Sequence, residues 1–237
     1  MRAYGAVAAL FLAISIAPGY ALQKSITPDL SAIADAASWT IHHASAAVVQ
    51  IDGRKAVRLI AEGDSAQGFV GLAVANGMEF DTGTIEIDLK GMGGQKRCFL
   101  GVAFNVSDEK TFEAVYFRPF NFTAEGESKD HAVQYIAWPL HPWDELRKDK
   151  PHVFEAPISP VLNPDDWFHA RIEVGETQVR VFVNDVNQPC LTVDRLLKGG
   201  QRQPIGLFVD SHEGMYDNLK IMPNLKTAPN QKTPSGK

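Results

Sequence analysis

The feature that most constrains this chain is a period-two alternation of apolar and charged residues, which only a strand with one buried face can satisfy. Thr84-Ile85-Glu86-Ile87-Asp88-Leu89-Lys90 places Ile85, Ile87 and Leu89 on one side and Glu86, Asp88 and Lys90 on the other. Arg171 to Val174 and Val179 to Asn184 repeat the pattern around Gly175-Glu176, which predicts a hairpin. Further strands are expected at Ala56 to Ala61, Phe69 to Val74, Phe99 to Val106, Glu113 to Phe117, Ala132 to Trp138, Cys190 to Val193, Pro204 to Val209 and Leu219 to Met222. That many short strands, with no long helical periodicity, predict an all-β, two-sheet antiparallel sandwich.

The ends read differently. Arg2, an apolar run from Ala3 to Ala17 and the small residues of Gly19-Tyr20-Ala21 match a secretory signal peptide over 1–21. About 15 apolar residues fall short of the roughly 20 that span a bilayer, so no membrane span is expected in the mature protein. Residues 22–38 read as a linker or short helix, 39–223 as the sandwich domain, and 224–237 as a disordered tail. The mature protein is expected to be secreted or periplasmic.

Losing Arg2 with the signal takes the formal charge from -5 to -6. That balance gives no basic footprint for nucleic acid. Cys98 and Cys190 are the two cysteines, and in an oxidising compartment either a disulfide or two buried thiols would be structural. With no CxxC or Cys/His cluster, a cysteine-held zinc is not expected. Between Arg118 and Asp166 lie seven prolines and two tryptophans around a single strand and a turn of helix at Trp143 to Arg147. Long aromatic-rich connections on a rigid sheet are where binding surfaces are built.

The order of motifs carries a resemblance. Phe80 to Gly91 (FDTGTIEIDLKG), Phe99 to Phe122, Ala132 to Arg147, Asp166 to Asp185 and Ile205 to Ile221 (IGLFVDSHEGMYDNLKI) resemble the concanavalin A-like lectin/glucanase superfamily. The likeness is nearest its laminin G-like and 3-keto-disaccharide hydrolase-like bacterial members. It implies a jelly roll of two curved sheets whose concave face often binds glycans; fold alone does not assign an activity.

Candidate residues follow from chemistry. Glu86 and Asp88 project the same way, about 7 Å apart along one strand, and could form an acid/base pair. Glucanases of the resembled fold carry a further Glu where this chain reads Leu89-Lys90-Gly91, so the pair equally suits a solvated strand face. Tyr116, Arg118, Asn121, Gln134 and Tyr135 supply the aromatic faces and planar hydrogen-bonding groups that sugars need, with Trp138 or Trp143 as a stacking surface. The competing reading has Arg118 paired with an internal acid and Tyr135 in the core. Trp167, before an alternating strand, is expected in the core. His131 and His169 are the histidines best placed for catalysis. No cofactor is expected beyond a structural calcium at Asp217, where Asp217-Asn218 otherwise reads as turn chemistry. Asn105 and Asn121 head N-glycosylation acceptor patterns. The expected function is an exported carbohydrate-binding protein. The alternatives are a glycoside-cleaving enzyme of hydrolase or 3-keto-glycoside type, and a protein-binding laminin G-like domain.

Overall fold

A computed structural model describes residues 25–224 apart from 95–97, 185, 198 and 200; the expected signal peptide and the tail past 224 lie outside the described residues. In chain order the strands are β1 (Trp39–His42), β2 (Ala44–Ile51), β3 (Arg54–Ala61), β4 (Gly71–Ala75), β5 (Gly83–Lys90), β6 (Phe99–Asp108), β7 (Thr111–Phe117), β8 (Val133–Trp138), β9 (Glu155–Ala156), β10 (Phe168–Val174), β11 (Gln178–Val183), β12 (Leu191–Asp194), β13 (Gly206–Asp210) and β14 (Glu213–Pro223). One helix, α1 (Trp143–Asp149), interrupts them. The strands pair antiparallel into two seven-stranded sheets. The front sheet runs β1-β4-β13-β6-β7-β8-β9 and the back sheet β12-β11-β10-β5-β14-β3-β2. This is the expected jelly-roll sandwich.

The alternation does what it predicts. In β5, Ile85, Ile87 and Leu89 are fully buried, while Glu86, Asp88 and Lys90 sit half-buried on the outer face of the back sheet. Strands β4 and β13 are buried on both faces and accordingly read as continuous apolar runs. The two sheets meet through rings such as Phe117 on β7 and Phe168 on β10, 5.1 Å apart edge to face. Strand β2 turns into β3 through Asp52 (φ 50°) and Gly53 (φ 75°), the positive-φ pair that a two-residue hairpin requires.

Residues 25–38, read from the sequence as linker or short helix, lie against the sandwich. Ile26 pairs with Ile221 of β14, and a 3-10 turn at Leu30–Ala32 is capped by Asp29, whose Oδ1 accepts from Ser31 N at 2.9 Å. Ile33 is 1 % exposed. Trp167 is not in the core: it is half-buried, with the Arg54 guanidinium 5.0 Å over its ring. Cys98 and Cys190 are separate free thiols, and burial pushes them up to about 11 and about 12. No helix among the described residues is long and apolar enough to cross a membrane.

A buried ion pair ties the sheets together. Glu113, on the inner face of β7, accepts from Arg195, which follows β12, with Nε at 3.1 Å from Oε1 and Nη2 at 2.8 Å from Oε2. Asn105 Nδ2 donates to the same carboxylate at 3.0 Å, and the Tyr135 hydroxyl donates to it as well. Arg195 Nη1 spends its protons on the carbonyls of Asp81 and Gly175. Every polar atom of a charge removed from water needs such a partner.

Candidate functional site

The outer face of the front sheet carries a cleft of about 320 Å³ at the end where β7 runs out and β13 finishes. Register places Tyr116 opposite Gln134 on one side and Gly101 on the other, with Phe208 of β13 beyond Gly101. Because Gly101 has no side chain, the Tyr116 and Phe208 rings meet across it and stack with centroids 5.1 Å apart. The other side of the Tyr116 ring faces Arg118, whose guanidinium lies 4.9 Å from its centroid.

Arg118 follows β7 directly and is the N-cap residue of the 3-10 turn at Pro119–Asn121, which curls the chain over the cleft. Its Nη2 donates to the Tyr116 hydroxyl at 2.8 Å and to Gln134 Oε1, and its Nη1 donates to His131 O at 2.9 Å. Tyr116 in turn donates to Gln134 Oε1 at 2.9 Å. Asn121 Nδ2 reaches the same His131 carbonyl at 3.2 Å. The expected group of Tyr116, Arg118, Asn121 and Gln134 is thus brought together, but its members are 0–9 % exposed and bond mainly to one another. They make the floor and frame of the cleft. Burial pushes the Tyr116 hydroxyl up to about 12 against the opposing charge of Arg118.

Behind this floor lies an acid that sequence reasoning did not single out. Glu155, on edge strand β9, takes a bidentate fork from Arg147 of α1, with Nε at 3.0 Å from Oε1 and Nη2 at 2.7 Å from Oε2. His131 Nδ1 lies 2.9 Å from Glu155 Oε2, and Arg118 Nη1 lies 3.9 Å from it. Burial pulls the His131 imidazole below its ordinary value, and the neighbouring arginines add to that; Glu155 opposes them. Asp210 closes the opposite wall, and burial holds its carboxyl above the usual range. Three half-buried rings, Phe99, Phe120 and Trp143, supply the aromatic surface, with the Arg147 guanidinium 5.0 Å from the Trp143 ring.

The other expected residues lie elsewhere. Tyr135 points into the sandwich toward Glu113 because it alternates with Gln134 along β8. Trp138 shares the outer face but sits four residues further along, stacked on Phe112 at 5.8 Å and outside the cleft lining. Glu86, Asp88 and His169 are on the opposite side of the molecule, on the outer face of the back sheet. There Glu86 pairs with Lys220 at 3.2 Å, and Asp88 accepts from Arg54 at 3.1 Å and Asn218 at 2.7 Å, with His169 Nδ1 2.8 Å away. Burial pushes Asp88 up, but the bonds from His169 and Asn218 and the nearby positive charge outweigh it and hold the carboxyl below its ordinary value. Hollows of about 390 Å³ beside Asp217 and about 360 Å³ beside His169 have no Phe, Tyr or Trp among the described residues that line them. Asp217 Oδ1 accepts from Asn218 N at 2.8 Å, and among the described residues no group of three His, Cys, Asp or Glu side chains is placed to hold a metal. The amide nitrogens of Asn105 and Asn121 already donate to Glu113 and to His131 O.

No protein-family profile and no curated protein matches the sequence. Solved structures do. The carbohydrate binding module CBM66 from Bacillus subtilis superposes with a TM-score of 0.53 at 14 % identity, covering 79 % of this chain and 97 % of its own. A Bacillus licheniformis β-glucanase gives 0.52 at 8 %, covering 86 % and 100 %. The exoplasmic/lumenal domain of VIP36, in a form bound to Ca2+ and Man3GlcNAc, gives 0.51 at 12 %, covering 90 % and 93 %. Strand order, sheet pairing and these superpositions together give the chain the jelly-roll fold of the concanavalin A-like lectins and glucanases.

Proposed function

We propose that this chain is an exported carbohydrate-binding protein that seats a glycan in the front-sheet cleft. The observation that carries the reading is the lining: three half-buried rings, Phe99, Phe120 and Trp143, converge on polar groups held rigidly by the Arg118–Gln134–Tyr116 floor. A sugar offers apolar C–H faces that stack on rings and a rim of hydroxyls that needs fixed donors and acceptors. Preorganised groups cost little ordering free energy on binding. The solved carbohydrate binding module and the mannoside-bound VIP36 domain share the fold, which supports the same reading.

Glycan-array screening of the mature protein tests it, with product analysis of every hit to separate binding from cleavage. Retention of a defined glycan is expected, unchanged after incubation. Trp143→Ala is expected to weaken it at least tenfold, since loss of a stacked ring costs about 1 kcal/mol or more beyond its area. An array with no retained glycan, or a Trp143→Ala protein that binds like wild type, would sink the reading.

A further inference from the structure

We infer that Ser128, His131 and Glu155 form a nucleophile, base and acid triad in the wall of the cleft, and that it removes a small O-acyl group from the bound saccharide. The inference rests on the reading of the cleft as a glycan site and adds a reaction to it.

Ser128 and His131 belong to the six-residue 3-10 turn Gly126–His131, which leads into β8. Side chains three residues apart eclipse in a 3-10 helix, so the two stand on one side of the turn. Both line the cleft. The third member comes from edge strand β9, where Glu155 Oε2 lies 2.9 Å from His131 Nδ1. Glu155 is 4 % exposed and is itself fixed by the fork from Arg147. An ionised carboxylate only accepts, so it holds the imidazole proton on Nδ1 and leaves the lone pair on Nε2. His152 lies nearly parallel to the imidazole, with ring centroids 6.1 Å apart, and limits how the ring turns. Burial pulls the imidazole below its ordinary value against the pull of Glu155, which keeps it neutral and able to take a proton near pH 7. Among the described residues neither Ser128 Oγ nor His131 Nε2 has a hydrogen-bond partner, so both are open to a substrate. An exposed serine turns about χ1 in picoseconds to nanoseconds, and a bond from nucleophile to base tightens when substrate is seated.

The roles are those of a base-activated hydroxyl. Ser128 Oγ adds to the ester carbonyl carbon as His131 Nε2 takes its proton; the bond from that carbon to the sugar oxygen breaks, and the sugar hydroxyl leaves with the proton. Water then adds to the acyl-serine and gives a proton to Nε2; the acyl bond to Oγ breaks, Oγ recovers the proton and the acyl group departs as a carboxylic acid. Nothing is oxidised or reduced. A glycosidic bond fits the site less well, because its cleavage needs a pair of carboxyl groups free to act on the bond. At this cleft Glu155 is forked onto Arg147, and Asp210 accepts from Ser65 and Ser211.

The test uses the intact mature protein and a fluorophosphonate probe, which an activated serine attacks with loss of fluoride. A label on Ser128 is expected by mass spectrometry, and none on the Ser128→Ala protein, whose exposed position leaves the fold undisturbed. His131→Gln is expected to slow labelling by roughly a hundredfold or more, the contribution of a general base. In a second measurement the array hit carrying O-acetyl groups is expected to release acetate with the wild type and not with Ser128→Ala, while the unacetylated glycan is returned unchanged. An unlabelled Ser128, labelling of His131→Gln at the wild-type rate, or an O-acetylated hit that releases no acetate each overturns the inference. Should His131→Gln not fold, Ser128→Ala decides alone. Labelling needs no glycan, so the two readings fail separately: if Ser128 stays unlabelled while Trp143→Ala has lost glycan binding, the cleft reading stands and only the triad falls. An array with no retained glycan removes the cleft reading and the substrate assigned to the triad.

Discussion

Replacing Arg195 with alanine is expected to destabilise the protein by about 3–5 kcal/mol, the cost of stranding a buried charge. Glu113 is 0 % exposed and would keep only Asn105 and Tyr135 as partners. Two backbone carbonyls, of Asp81 and Gly175, would lose their donor as well. For a domain of this size each kcal/mol moves the melting temperature by roughly 2–4 °C. A fall of about 6–20 °C in thermal unfolding is therefore expected. The pair is costly to break but not intrinsically strong, so Glu113→Gln with Arg195→Met should recover part of the loss, because no charge is left uncompensated. A single Arg195→Ala protein melting within about 2 °C of wild type would show that water reaches Glu113 and that the strut between the sheets is not dry.

The second large effect is at Arg118. It is 4 % exposed, and removing its guanidinium leaves Tyr116, Gln134 and His131 O without their shared donor. Gln134 Oε1 keeps the Tyr116 hydroxyl and His131 O keeps Asn121 Nδ2, so the cost comes from the lost charge-assisted bonds, about 1.5–3 kcal/mol each, and part of it relaxes. Arg118→Ala is expected to lose about 2–4 kcal/mol and, with the floor of the cleft collapsed, glycan retention. Glu155 limits the damage, because Arg147 and His131 remain beside it. Lysine cannot reproduce the fork, so Arg118→Lys should fall between the two. An Arg118→Ala protein with wild-type melting would contradict this account of the floor.

How far the sequence carries can be judged from single elements. Strands β5, β10 and β11 were plain because one buried face forces alternation. Strand β2 was not, because it lies at a sheet edge with most of its residues exposed or half-buried, and Ala-Ser-Ala-Ala has no apolar contrast to read. The hairpin dipeptide that follows it, Asp52-Gly53, stood there unread. Strand β9 is two residues long and has no period at all. In the cleft, Tyr116, Arg118 and Gln134 were legible as neighbours because β7 and β8 are adjacent antiparallel strands. That they would bond mainly to one another was not, since hydrogen-bond partners depend on side-chain geometry that spacing leaves open. Tyr135, read either as a cleft residue or as core, lies in the core, one step of alternation away from Gln134. Asp210 was invisible for a different reason: Ser65, which fixes its orientation, is 145 residues away. Glu86 and Asp88 were correctly seen to share a face, but which sheet faces the cleft is a property of topology, not of the strand that carries them.

The central claim is the location of the glycan, and chemical-shift mapping of the isotope-labelled protein with an array hit tests it most directly. Saturable shifts of the Trp143 indole and of the Phe99, Phe120 and Ser211 amides are predicted, all around one cleft on the front sheet. Shifts confined to His169, Arg171 and Asn184, on the outer face of the back sheet, would contradict it.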